Sequence, residues 1–307
     1  MERLRSSSPF NVSDCCALLG FTKQAYYKHR LHREKKCLKE EVLLREVLTI
    51  RQSLPVLGGR KLYELLNRRL PDSLLPGRDK FFDFLRSQGL LIRKHREYRP
   101  ITTVSWHHFH KYPNLWRGRI PDGPNQVWVS DITYIRIEDG TFLYLSLITD
   151  VYSHKIVGWF LSESLSMEGP LNALRMALEE LPEGHQLIHH SDRGVQYCSN
   201  AYVELLQKNG IQVSMTENSD PRENAVAERV NGILKEEWFN REVICSLEKG
   251  RERTGEIIRI YNEMRPHMSN DYLTPQQAHQ QNGTLRRRWK TYYKKKEELC
   301  EQINEVM

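Results

Sequence analysis

The pattern of apolar and polar positions changes character near residue 125. Downstream, residues 127–137, 142–151 and 155–161 are short runs rich in Val, Ile, Tyr and Trp, which predict three strands. Glu138-Asp-Gly140 gives the Asp-Gly signal of a hairpin turn between the first two, and Tyr152-Ser-His154 turns the chain into the third. Residues 167–181 have helical spacing and stop at Pro182-Glu-Gly184. Residues 186–190 and 211–215 read as a fourth and fifth strand, separated by a helix over 200–208 that Asn209-Gly210 closes. Further helices are predicted from about Arg222 through Lys235 and over 246–264. The order β-β-β-α-β-α-β-α predicts an α/β core with a five-stranded mixed sheet. Strand order is not legible at this level.

Upstream the pattern is helical. Residues 12–19 form a first short helix, Gly20 turns, and Thr22 is placed to cap a second through Arg30. Helix, glycine turn, helix is the helix-turn-helix pattern, in which Lys23, Gln24 and Tyr27 would face the major groove. It is also the pattern of a plain helical hairpin with Leu18, Leu19 and Phe21 as its core. Residues 33–54 gather Leu38, Val42, Leu43, Val47 and Leu48 on one broad face, ended by Pro55 and Gly58-Gly59. Helices over 60–70 and 78–88 follow, with Gly89 as the C′ residue. Their apolar sides (Leu62, Leu65, Leu66; Phe81, Phe82, Leu85) would pack, leaving Arg60, Lys61, Arg68, Arg69, Arg78 and Lys80 for solvent or phosphate. Residues 93–124, with four prolines and little periodicity, read as a linker. The expected division is 1–54 (helix-turn-helix and helix), 55–92 (second helical module), 93–124 (linker), 125–241 (α/β core) and 242–307 (C-terminal helical segment and basic tail).

Charge sharpens this division. The chain has 307 residues and a net charge of +7, but residues 1–120 hold 25 Lys and Arg against 11 Asp and Glu. Residues 121–240 hold 8 against 18. A basic arm joined to an acidic core suits a division of labour in which the arm attracts phosphates and the core's carboxylates await cations. No apolar run approaches the ~20 residues of a membrane span, so no membrane partner is expected. The first residues lack the apolar segment of a signal peptide. The six cysteines form no C-x-x-C pair, which argues against a zinc site or a disulfide framework. These features predict a cytoplasmic protein.

Three carboxylates carry the candidate chemistry. Asp131 interrupts the apolar run of the first strand, where an unpaired carboxylate costs several kcal/mol. Asp192 follows the fourth strand in His190-Ser-Asp-Arg-Gly. Glu228 lies on the helix begun near Arg222, with 35 residues between it and Asp192. Hard divalent cations such as Mg²⁺ take oxygen ligands of this kind, and a pair of them can clamp the attacking and leaving oxygens of a phosphoryl displacement. On an ideal helix Lys235 lies about 20° from Glu228, Asn224 about 40° and Asn231 about 60°, whereas Glu223 is about 140° away. Asp150 ends the second strand as a turn-capping residue. His189 and His190 could orient a ligand or serve structural hydrogen bonds. His107-His108-Phe-His110 has no partner at metal-ligand spacing and reads as polar linker.

The set Trp128-Val-Ser-Asp-Ile-Thr-Tyr134, His190-Ser-Asp-Arg-Gly-Val-Gln-Tyr197, Glu228 with Lys235, and Tyr261-Asn-Glu-Met-Arg-Pro-His267 resembles the D-D-E transposases of the insertion-sequence-3 type, whose catalytic core is similar to retroviral integrase. The resemblance runs from about Val12 to about His279. It implies a ribonuclease-H-like core in which Asp131, Asp192 and Glu228 are the catalytic and metal-binding residues. Two Mg²⁺ ions would be held, with Mn²⁺ able to substitute. It implies strand cleavage at the ends of an insertion sequence, then strand transfer. The partners would be double-stranded DNA, both element ends and target, with a homo-oligomer assembled on it in the bacterial nucleoid. Lys235, Asn224, Arg193, Lys23, Gln24, Arg60 and Lys61 become the DNA-contacting candidates. Arg265 and His267 approach DNA or serve structure. The tail from Arg286 to Lys296 follows a phosphate backbone or docks its aromatics. The family's departure here is Glu223, where Asp is usual. The resemblance also implies a helix-turn-helix partner encoded by an upstream reading frame, commonly joined by frameshifting. The alternative function is therefore a non-catalytic DNA-binding partner or regulator that needs that product. A ribonuclease acting on RNA–DNA hybrids would share the core but has no use for the basic arm.

Overall fold

The structure is a computed structural model and describes residues 11–92, 108–117, 119–217 and 221–286. The expectations for the first ten residues, for the run Arg93–Arg96, for His107 and for the tail beyond Arg286 lie outside these residues. The chain separates into two compact units: one takes the described residues up to Ser53 together with Leu62–Leu91, the other the remainder.

The first unit is helical. Helix α1 (Val12–Leu18) starts on a reciprocal cap, in which Asn11 accepts from the Asp14 amide and Asp14 accepts from the Asn11 amide. Gly20 makes the turn at φ +70°, and Thr22 Oγ1 accepts from the Ala25 amide at 3.1 Å. Helix α2 then runs unbroken over Lys23–Ser53. The two helices expected over 22–30 and 33–54 are thus one. No Gly or Pro stands between them, and the Arg30–Glu34 pair at 2.9 Å bridges the join. The apolar face also differs from the expectation. Leu43, Val47 and Ile50 are buried, whereas Leu38, Val42 and Leu48 are exposed. Leu18, Leu19 and Phe21 are exposed too, so the hairpin core proposed for them does not form. Helices α3 (Gly59–Arg69) and α4 (Arg78–Ser87) bury Leu62, Leu66, Phe81 and Leu85 as the spacing predicted, but Phe84 takes the buried place expected of Phe82, and Leu65 is only half-buried.

The second unit is built on a five-stranded sheet in the order β3-β2-β1-β4-β5. Strands β1 (Val127–Arg136), β2 (Phe142–Asp150) and β3 (Ile156–Ser162) form an antiparallel meander. Strand β4 (Ile188–Ser191) lies parallel to β1, and β5 (Gln212–Met215) parallel to β4. Helix α5 (Glu168–Glu179) makes the crossover from β3 to β4. Its Ala173, Leu174 and Ala177 join Trp128, Ile148 and Val157 in the larger core, with Tyr202, Val203 and Leu206 of helix α7 (Asn200–Lys208). The short helix α6 is Val195–Cys198. Helix α8 (Ala225–Glu237) covers the other face, where Ala227 packs on Val127, Val129, Val151 and Ile188. Helix α9 (Leu247–Met264) is capped by Ser246, and the short α10 is Pro275–His279. This is the ribonuclease-H-like arrangement, with the sheet order now fixed.

Residues 108–117 are not a bare linker. Phe109 and Tyr112 pack on the larger core, and Leu115 and Trp116 on the smaller. The Pro113 carbonyl accepts from the Met215 amide, and Ser214 Oγ accepts from the Leu115 amide at 2.9 Å. Apolar residues scattered between prolines have no period, so the pattern hid this strap.

Candidate active site

Strand register brings the first two acids together. Ser130 on β1 pairs with Ser191 on the parallel β4. Asp131 and Asp192 are the next residues on each chain, where neighbouring strands stand about 4.8 Å apart. The loop after Asp192 is tight. Gly194 N–H donates to Asp192 Oδ1 at 2.9 Å. A Cβ at Gly194 would stand 2.9 Å from that same oxygen, so a larger residue there would push the Asp192 carboxylate out of this position.

Asp131 is half-buried. Its Oδ1 accepts from the Ile132 amide at 2.9 Å and its Oδ2 from the side-chain amide of Asn231 at 2.7 Å. Burial pushes this carboxyl up to about 7, with the charge of Asp192 as the next cause and Glu228 as a smaller one. The two hydrogen bonds pull the other way but do not prevail. Glu228 therefore belongs to the electrostatic field of the two aspartates, though it is exposed on the first turn of α8. Among the described residues no three His, Cys, Asp or Glu side chains converge closely enough to hold a metal ion as they stand. The donor chemistry nevertheless fits a hard cation, because two adjacent carboxylates, one held back from ionising by burial and by its neighbour, gain from a positive charge between them.

Helix α8 is attached to this site near its start. The chain enters it through a 3₁₀ turn over Pro221–Asn224, not through the helix expected from Arg222. Asn224 is consequently off the helical face assigned to it. It is buried, and its amide donates to the Ser130 carbonyl at 3.1 Å. Glu223 lies on the same 3₁₀ turn, so the helical angle assigned to it does not apply, and its carboxylate accepts from the Glu217 amide at 2.7 Å. Lys235 lies half-buried with Nζ 3.5 Å from the centroid of the Tyr134 ring, a cation–π contact. Period-two alternation puts Tyr134 and Asp131 on opposite faces of β1, so no reading of the strand alone could join Tyr134 to Lys235.

The two histidines of the motif serve the interior. The hydroxyls of Ser130 and Tyr202 lie 2.6 and 2.9 Å from His189 Nε2. Burial pushes His189 down to about 3 and His190 down to about 4. His190 Nδ1 is 2.9 Å from Ser214 Oγ. Asp150 is the turn cap expected, accepting from the amide and hydroxyl of Ser153 at 2.8 and 2.7 Å and from the Asn125 amide at 2.8 Å.

Arg265 and His267 do not reach outward. Arg265 is buried and donates to both carboxylate oxygens of Glu237, and His267 accepts from it at 2.9 Å. The choice left open between DNA and structure falls to structure, because Glu237 at the end of α8 supplies the missing charge. Of the other candidates, Lys23, Gln24 and Arg60 are exposed on helices, and Arg193 is half-buried beside Asp192. Lys61 is half-buried, and burial first of all pushes its ammonium down to about 7. The residue that sequence reasoning underused is Asn231, placed on the right face without its bond to Asp131.

The Integrase core domain family matches residues 121–221, and a second form of it matches residues 209–275. The Insertion element IS600 uncharacterized 31 kDa protein of Shigella sonnei is 31% identical over 264 residues, covering 85% of this chain and 95% of that protein. Transposase InsF for insertion sequence IS3fB of Escherichia coli (strain K12) is 34% identical over 200 residues, covering 64% of this chain and 69% of that protein. The HTLV-2 integrase catalytic core domain, solved in complex with magnesium, aligns with 52% of this chain and 99% of its own at 19% identity and a TM-score of 0.42. No helix among the described residues is long and apolar enough to cross a membrane. Shared identity over most of both chains, with the two integrase-core matches together covering residues 121–275, places the chain in the family of insertion-sequence-3-type transposases with an integrase-like core.

Proposed function

We propose that the chain is a D-D-E polynucleotidyl transferase that cuts DNA at the ends of an insertion sequence and joins the freed 3′ ends to a target. The observation that carries this reading is the parallel register of β1 and β4, which pairs Ser130 with Ser191 and so sets Asp131 beside Asp192, with the helix that bears Glu228 tied to Asp131 through Asn231. Asp131 and Asp192 would hold the divalent cations, with Glu228 completing the set from α8. Bound Mg²⁺ would supply Lewis-acid activation of a water or hydroxyl and neutralise charge on the phosphate. Asn231 holds the Asp131 carboxyl in one orientation. The Gly194 amide does the same for Asp192. Lys235, perched on Tyr134 beside the same helix face as Glu228, would contact a backbone phosphate near the cut. Arg193, Lys23, Gln24 and Arg60 are further phosphate or groove contacts in this reading. The protein would act as a homo-oligomer on double-stranded DNA.

The test uses labelled duplex DNA carrying an element end, with Mg²⁺ or Mn²⁺. Asp131→Asn, Asp192→Asn and Glu228→Gln should each abolish strand cleavage while DNA binding persists. Cleavage at the wild-type rate in any of the three would remove that residue from the triad. If the wild-type chain binds DNA but cuts only when the upstream-frame product is added, the partner reading replaces this one.

A further inference from the structure

The sequence Tyr261-Asn-Glu-Met-Arg-Pro-His267 has no part in the reaction described above, yet it builds a deeply buried ion pair. Arg265 is 1% exposed. Its Nε and Nη2 donate to Glu237 Oε2 and Oε1 at 2.8 and 2.6 Å, and its Nη1 donates to His267 Nε2 at 2.9 Å. The Tyr261 ring centroid lies 5.9 Å from the guanidinium carbon. His267 is buried and held neutral, first by burial and then by Arg265, which leaves its Nε2 free to accept. Every partner is thus arranged around a two-bond fork.

We infer that the Arg265–Glu237 pair is a positioning device that fixes the rotation and register of helix α8 and thereby aims Glu228 at the two aspartates.

Glu237 is the last residue of α8 and Arg265 caps the end of α9. Glu237 is nine positions on from Glu228, which is about 13.5 Å along the axis and about 180° around it. The pair therefore grips the helix at its far end and on the side opposite Glu228. The near end is gripped by Asn224 on the Ser130 carbonyl and by Asn231 on Asp131. Between these ties the buried face of α8 is Ala227, Val230, Ile233 and Leu234. Apolar packing of this kind resists separation but specifies register only loosely. Two directional bonds from a planar fork specify it tightly. A rotation of about 20° would move a side chain at the helix surface by roughly 2 Å, for a helix about 10–12 Å across. Displacements of about 1 Å can cost about 100-fold in rate. A buried ion pair is often no better for stability than an apolar pair of the same volume, so stability alone gives little reason to have one here. The catalytic consequence rests on the function proposed above; the tether itself does not.

The decisive variant is Arg265→Met with Glu237→Met, which keeps volume and burial and removes the fork. Its melting temperature should stay near that of the wild type. Hydrogen exchange of the amides of residues 225–237 should quicken by about tenfold or more, while those of β1 and β4 are unchanged. Single-turnover cleavage should fall by about tenfold or more with DNA affinity unaltered. Arg265→Lys, which keeps the charge and loses the second bond, should show the same pattern more weakly, and it decides the matter if the double variant does not fold. Wild-type exchange over α8 in a folded variant overturns the inference, as does wild-type cleavage. Should the wild-type chain prove unable to cut DNA, the exchange measurement alone decides the tether, and the loss falls on the proposed function.

Discussion

The side-chain amide of Asn231 donates to Oδ2 of Asp131 at 2.7 Å, joining α8 directly to the innermost acid of the site. Groups that orient a metal-binding carboxylate typically contribute about 10–100-fold in metal affinity or activity. Asn231→Ala should therefore raise the Mg²⁺ concentration needed for half-maximal cleavage by about that factor. A cation titration of the cleavage rate reads it, and an unshifted midpoint would remove Asn231 from the site's support.

Lys235 and Tyr134 should behave as one unit. Lys235→Ala should weaken duplex binding and reduce the slope of log affinity against log salt by about one. Tyr134→Phe keeps an aromatic face under the ammonium and should bind as the wild type does. Tyr134→Leu should lose part of what Lys235→Ala loses, and should add nothing in the Lys235→Ala background. Additive losses in fluorescence anisotropy would separate the two residues.

Divalent cations should stabilise the folded chain. A ligand that binds only the native state contributes about 2.7 kcal/mol at a hundred times its dissociation constant. Mn²⁺ or Mg²⁺ should thus raise the melting temperature, and Asp131→Asn and Asp192→Asn should each abolish the rise. An equal rise in all three proteins would place the cation elsewhere.

Acid should weaken the fold through His189 and His190. Both are neutral when folded, with values pushed down to about 3 and about 4 against an ordinary 6.5. Below about 6.5 the unfolded chain takes up protons that the folded chain refuses, so stability is lost as pH falls from there toward 3. Urea midpoints should drop between pH 7 and pH 5. The drop should shrink in His189→Gln, and a drop of the wild-type size in that variant would exclude His189 as its source.

Tyr197 buries a hydroxyl with no hydrogen-bond partner among the described residues. Such a group costs about 1–3 kcal/mol. Tyr197→Phe should therefore raise the melting temperature, and a lowered one would show that the hydroxyl is satisfied in solution.

The sequence by itself determined the five strands, the helices that alternate with them, and the positions of Asp131 and Asp192 on or just after a strand. Those features are local: alternation, turn residues and a carboxylate set in an apolar run are each written in a few adjacent positions. Only the tertiary structure decided that β4 lies beside β1, which puts Asp131 next to Asp192 across the 60 intervening residues. It also decided that Arg265 answers Glu237 and not DNA, and that Lys235 rests on Tyr134. These are meetings of side chains from separate elements, fixed by packing direction and burial, and no period along the chain encodes them. The misread stretches share that cause. Helix α2 exposes Leu38 and Val42 because nothing within its own unit covers them. The strap over 108–117 docks aromatics whose spacing follows the surface of the sheet, with no repeat of its own.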